Sequence, residues 1–104
     1  MEIIAFKMKL YPGFKEEYRK RHAEVWPDLQ QLLKQYGISD YCIFLDEETN
    51  ILFAVQKLEK KEPPIDLRNH PVMKKWWDHM ADIMEVHPDN SPVAVPLEMV
   101  FHLR

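Results

Sequence analysis

The sequence predicts an α+β fold of the ferredoxin-like βαββαβ kind, an antiparallel sheet with helices on one face. Three observations point there. The hydrophobic pattern runs strand, helix, strand, strand, helix, strand, switching between a period of two and one of 3.6 residues. The connections are short and carry turn chemistry. The two middle strands are apolar on both faces, whereas one helical layer covers only one face of a sheet. A second sheet must meet the other face, as in a dimeric α+β barrel made by another copy of the chain.

Residues 3–10 alternate Ile4, Phe6, Met8 and Leu10 against Glu2, Ala5, Lys7 and Lys9, giving a strand with one apolar face. Tyr11, Pro12 and Gly13 form a turn into the longest helical pattern, residues 14–36. There Phe14, Tyr18, His22, Val25, Trp26, Leu29, Leu32, Leu33 and Tyr36 fall within one third of a helical wheel, and charged residues and glutamines dominate the rest. Pro27 removes an amide and disfavours helical geometry at Trp26, so the helix is expected to bend there. Gly37 ends it as a C-terminal cap.

Residues 38–45 and 51–58 are expected as a hairpin joined by the polar loop 46–50. Tyr41, Ile43 and Leu45 lie on one face, Cys42 and Phe44 on the other, with Cys42 read as a core filler. Residues 59–64, including Pro63 and Pro64, form a solvated connector, and residues 65–69 a short helix. A second amphipathic helix is expected from Pro71 to about Glu85. Its apolar arc holds Val72, Met73, Trp76, Trp77, Met80, Ile83 and Met84, opposite Lys74, Lys75, Asp78 and Asp82. Residues 87–92 are a turn, and residues 97–103 a last strand.

At 104 residues, with 46% hydrophobic and 30% charged residues, the chain fits one globular domain over 1–104. A formal charge of −3 leaves no electrostatic footprint for nucleic acid, and no apolar run is long enough to span a membrane. The N-terminal alternation is not a secretory signal. The single cysteine excludes an internal disulfide framework, so a cytoplasmic location is expected. Two glycines in the whole chain leave no phosphate cradle.

Two groups on the dry side of the first helix do not belong in a plain core: the Tyr18 phenol and, one turn on, the His22 imidazole. A core histidine bonded to a neighbour such as Tyr18 is one reading, and a titratable catalyst beside the Pro27 break is the other. His70, His79, His87 and His102 make no metal-ligand spacing with another ligand on one helix face, which argues against zinc; His79 and Asp82 come nearest. The paired Glu16–Glu17 and Glu47–Glu48 read as solvated. Trp76 and Trp77 point about 100° apart and serve equally as core volume or as two walls of a cavity. A sugar is recognised by aromatic stacking plus a few hydroxyl-reaching groups, and Tyr18, Tyr41, His22 and the indoles supply such a set.

Tyr18-x3-His22-x3-Trp26-Pro27, the hairpin tyrosine Tyr41, the Trp76–Trp77 pair and the Pro-Asp-Asn-Ser-Pro loop before the closing strand together resemble the L-rhamnose mutarotase family, in order and nearly end to end. His87 stands where that loop more often has asparagine. The resemblance implies a homodimer with no cofactor that interconverts the α and β anomers of L-rhamnose. It implies His22 as proton donor and Tyr18, Tyr41, Trp76 and Trp77 as sugar-binding residues. An imidazole suits ring opening and closing at neutral pH, since it can both take and return a proton. Two alternatives on the same fold are a non-catalytic sensing or dimerisation module and a monooxygenase, cofactor-independent or haem-dependent.

Overall fold

The computed structural model describes residues 1–59 and 65–104; the expected connector thus lies outside the described residues beyond Glu59. The elements are β1 (Glu2–Lys9), α1 (Lys15–Ala23), α2 (Pro27–Tyr36), β2 (Ile38–Asp46), β3 (Ile51–Leu58), α3 (Pro71–Met80) and β4 (Val95–Leu97). The four strands form one antiparallel sheet in the order β2-β3-β1-β4, the ferredoxin-like arrangement expected.

Strand register sorts the side chains. Met8 faces Leu52, Phe6 faces Ala54, and Leu45 and Ile43 continue those rows on β2. This inner surface packs on Leu29 and Leu32 of α2 and on Met73, Trp76 and Met80 of α3 to make the core. The outer surface carries Phe44–Phe53–Lys7–Val95 as one row and Cys42–Val55–Ala5–Leu97 as the next. Cys42 is therefore exposed and not a core filler, because it alternates with the inward Ile43.

A β-bulge changes this alternation between Ser39 and Cys42. Ser39 pairs with Lys57 and Cys42 with Val55, so Asp40 and Tyr41 together oppose Gln56. Asp40 takes a positive φ of 45° to allow it. The extra residue turns Tyr41 from Ser39's face to the inner one, where its ring meets Phe6 edge-on at 6.4 Å.

Four boundaries differ from expectation. The long helix does not bend but breaks. Trp26 is extended (ψ 136°) and caps α2, and Pro27 occupies the first helical position, where a missing amide costs nothing. Residues 65–69 form turns instead of a helix; Asp66 accepts from both the backbone and side-chain nitrogens of Asn69, and Pro71 follows. The last helix ends at Met80 because Ile83 and Met84 leave it to join the sheet end: the Ile83 carbonyl accepts from the Tyr11 amide, and Met84 bridges Leu10. The final strand is Val95–Leu97, and residues 98–104 lie beyond it with Val100 and Leu103 exposed.

Other expectations hold. Gly37 has φ 105°, and a Cβ there would lie 1.9 Å from the Glu59 carbonyl oxygen, so both conformation and space require glycine. The 46–50 loop closes as a tight turn, with Asp46 accepting from the Glu48 amide and the Thr49 hydroxyl. Residues 87–91 form the expected turn, with Asn90 at a positive φ of 68°.

Candidate active site

α1 has nine residues and buries only Tyr18 among them. Tyr18 and His22 stand one turn apart, as their spacing dictates, with rings stacked at 4.2 Å. The His22 ring meets Trp76 of α3 edge-on at 5.4 Å, and Trp76 in turn meets Trp26 at 5.2 Å. His79 packs near both indoles, at 5.6 Å from Trp26 and 5.5 Å from Trp76. The break at Pro27 is what turns Trp26 into this cluster.

His22 Nδ1 lies 3.0 Å from the Tyr18 carbonyl oxygen. A carbonyl only accepts, so Nδ1 carries the proton and the neutral ring has its lone pair on Nε2. No described residue bonds to Nε2. Desolvation lowers the His22 pKa below its ordinary 6.5, opposed in part by the Tyr18 carbonyl. At neutral pH the ring is mainly uncharged, with one open basic nitrogen.

The other members of the predicted set surround the same cavity, about 1150 Å³ between the sheet and the helices and lined by Tyr18, His22, Tyr41, Trp76 and Trp77. Such a volume is roomy beside the roughly 300–1,000 Å³ of typical small-molecule sites. Burial raises the Tyr18 phenol well above the ordinary range, and the Tyr41 phenol adds to that. Tyr41 keeps 37% of its surface, yet desolvation still pushes it up to about 12. Both phenols are thus protonated at neutral pH and can donate or accept a hydrogen bond. Trp77 is half-buried on the α3 side, with the Arg68 guanidinium 5.8 Å above its ring. The structure therefore gathers all five residues named from the sequence around one cavity, whose lining also includes charged residues such as Lys15, Glu47 and Arg68. Among the described residues, no three His, Cys, Asp or Glu side chains come together as a cation site.

Sequence reasoning missed Arg21. It sits among Arg19, Lys20 and His22 on what reads as a solvated face, yet its side chain is only 15% exposed. Its Nε donates to Glu17 Oε2 at 2.8 Å, and its Nη1 to Asp82 Oδ1 at 2.8 Å. The Glu17–Arg21 spacing was the available signal; the Asp82 partner, 61 positions away, was not.

A family model described as L-rhamnose mutarotase matches residues 3–103. Curated proteins named L-rhamnose mutarotase are similar along the full chain: that of Formosa agariphila is 58% identical over 103 residues, covering 99% of each chain. That of Bacteroides thetaiotaomicron is 60% identical with the same coverage, and that of Mesorhizobium japonicum is 61% identical over 98% of this chain and 97% of its own. A crystal structure of the Formosa agariphila L-rhamnose mutarotase superposes with a TM-score of 0.94 at 57% identity, covering 100% of both chains.

The ring geometry yields a direct expectation. Nitrogen-15 NMR of the imidazoles should show neutral His22 protonated at Nδ1 and titrating below 6.5. An Nε2-protonated ring, or a midpoint above 6.5, would contradict the site described.

Proposed function

Because the chain belongs to the L-rhamnose mutarotase family, we propose that it is an isomerase interconverting the α and β anomers of L-rhamnose, with His22 as the proton carrier. The single observation that carries this reading is the open Nε2 of His22 beside Tyr18 and Trp76 in the cavity. Nε2 takes the proton of the anomeric hydroxyl as the electron pair of that O–H bond becomes the second bond of the C1 carbonyl. The bond from C1 to the ring oxygen breaks, and its electron pair goes to that oxygen, which receives the proton from the imidazolium. Rotation about C1–C2 exposes the other carbonyl face, and the reverse transfers close the ring. Neutral His22 starts the cycle and regains its state at the end, so one group serves as base and then acid.

Recognition follows from the aromatic lining. Trp76 and Trp77 offer faces for the apolar C–H surface of a sugar, and the protonated phenols of Tyr18 and Tyr41 reach its hydroxyls. The whole chain, residues 1–104, works as one domain. Its lack, among the described residues, of a helix long and apolar enough to cross a membrane is in keeping with a cytoplasmic sugar enzyme.

The working unit is a homodimer. The outer sheet surface supports this: its two rows hold Phe44 at 63% exposure beside Phe53, and Val95 and Leu97 at 46% and 38%. Lys7 is the one charged residue in these two rows, and monomeric soluble proteins rarely leave so apolar a patch uncovered. Met99, Val100, Phe101 and Leu103, which follow β4 in the chain, are exposed as well. A second copy seated sheet to sheet would cover the band isologously.

Two measurements test the reading. NMR saturation transfer between rhamnose anomers should show exchange falling by roughly 10²–10⁴ in His22→Asn, with folding and sugar binding retained. A merely structural His22 would instead show destabilisation of about 1–3 kcal/mol and near wild-type exchange per folded molecule. Phe44→Glu, which places a charge on the most exposed ring of the outer band, should yield monomer or insoluble protein by light scattering. A well-folded dimer of that variant would contradict the face assigned to the partner.

A further inference from the structure

We infer that Arg21 is a positioning residue for proton transfer: it fixes α1, and with it Tyr18 and His22, against the Trp76 wall of α3. The inference rests on the reading of His22 as proton carrier. α1 is KEEYRKRHA, too short to hold helical structure on its own, and its polar sequence leaves little apolar area for docking. Tyr18 packs into the core and the His22 ring meets Trp76 edge-on, contacts that set distance loosely and angle less. Lys15 pairs with Glu47 at the start of the helix, and at its far end the Arg21 guanidinium is what ties it to α3.

Arg21 reaches three partners at once. Nε donates to Glu17 Oε2 at 2.8 Å, one turn back on the same helix, which orients the fork. Nη1 and Nη2 donate to the two oxygens of Asp82 at 2.8 and 3.2 Å, a bidentate pairing that fixes both distance and plane. Nη1 also donates to the His79 carbonyl oxygen at 2.6 Å. α3 ends at Met80, so that carbonyl is one of the four that have no partner within the helix. Arg21 thereby caps the helix that carries Trp76 one turn earlier. The next residue along α1 is His22. A single side chain thus joins the two elements whose separation sets the His22–Trp76 contact of 5.4 Å.

The arrangement favours arginine over any other cation. Lysine would keep the charge but offers a point donor without the planar fork, so it cannot hold the Glu17 carboxylate, the Asp82 carboxylate and the carbonyl together. Trp76, Trp77 and Tyr41 stand on α3 and β2, and Tyr18, the one binding residue on α1, is also held by the core, so most of the binding surface keeps its place when Arg21 is lost. Loss of Arg21 should therefore be felt in the chemical step more than in binding.

The test compares Arg21→Gln and Arg21→Lys with wild type by NMR anomer exchange at varied rhamnose, together with the His22 imidazole titration. We expect kcat per folded molecule to fall at least about tenfold in both variants, since a small misplacement of a reacting group is costly. KM should stay within about threefold, the pattern of an interaction realised in the transition state. The His22 midpoint should rise toward 6.5 as the ring loses its desolvated seat, a change that a purely stabilising role would not produce. The inference is overturned if kcat in either variant stays within tenfold, if the loss lies in KM alone, or if the midpoint is unmoved. Where neither Arg21 variant folds, Asp82→Asn is read against the same limits, with the kcat threshold set at about threefold because Glu17 and the carbonyl remain. His22→Asn run in parallel separates the two ideas. Wild-type exchange there removes the reading of the site, whereas full exchange in Arg21→Gln with a dead His22→Asn removes only the strut.

Discussion

The missing amide of Pro27 is the constraint on which the site depends. With an ordinary residue at that position, one amphipathic helix could run from Lys15 to Tyr36 and lie along the sheet. Proline instead favours extended geometry at Trp26 and a fresh helical start after it. Two things follow. Trp26 is carried into the aromatic cluster against Trp76 at 5.2 Å. And α1 is left as a separate, largely polar helix that must be held in place from outside. Tyr18 is the one buried side chain of that element, so the alignment of His22 beside it rests on a few specific contacts more than on bulk packing. A helix that packs well is hard to place with a precision other than its own; a short one can be set by a few directed bonds.

The two faces of the sheet divide the work. The inner face supplies core and site: Met8, Leu52 and Ala54 pack beneath the helices while Tyr41, re-aimed by the bulge at Asp40, stands at the cavity. The outer face supplies the proposed partner surface. Both demands fall on the same strands, which is why β2 and β3 are apolar on both sides. The three titratable groups of the proposed site are neutral at pH 7, with both phenols protonated and the imidazole mostly uncharged. Among these three, the imidazole is the group that changes charge most readily.

Much of this was legible in the sequence because periodicity reports faces directly. The strand order, the hairpin, the Gly37 cap and the five aromatic or titratable residues that line the cavity follow from spacing and residue type, and the family resemblance supplied the roles proposed for them. Boundaries were less legible because they are set by distant partners. The end of α3 is decided by Tyr11 and Leu10, which draw Ile83 and Met84 toward the sheet. Proline was correctly read as an interruption, but whether a chain bends or restarts depends on where Trp26 finds room. Cys42 looked like core because both strand faces are apolar, and only the register shows which face lacks helices. Arg21 was invisible for a different reason. In a run of basic residues, burial of one guanidinium is decided wholly by what the fold brings opposite it, here Asp82 and the His79 carbonyl.

The central claim is that one desolvated imidazole carries the proton between the anomeric hydroxyl and the ring oxygen. A base that must start neutral loses activity when protonated, so lowering the pH through its pKa should remove exchange. The pH dependence of kcat/KM for anomer exchange, measured beside the His22 titration in the free enzyme, tests this most directly. The account predicts an acid limb whose midpoint coincides with that of His22, below 6.5, and a level rate above it. Exchange that runs undiminished through the protonation of His22 would contradict it.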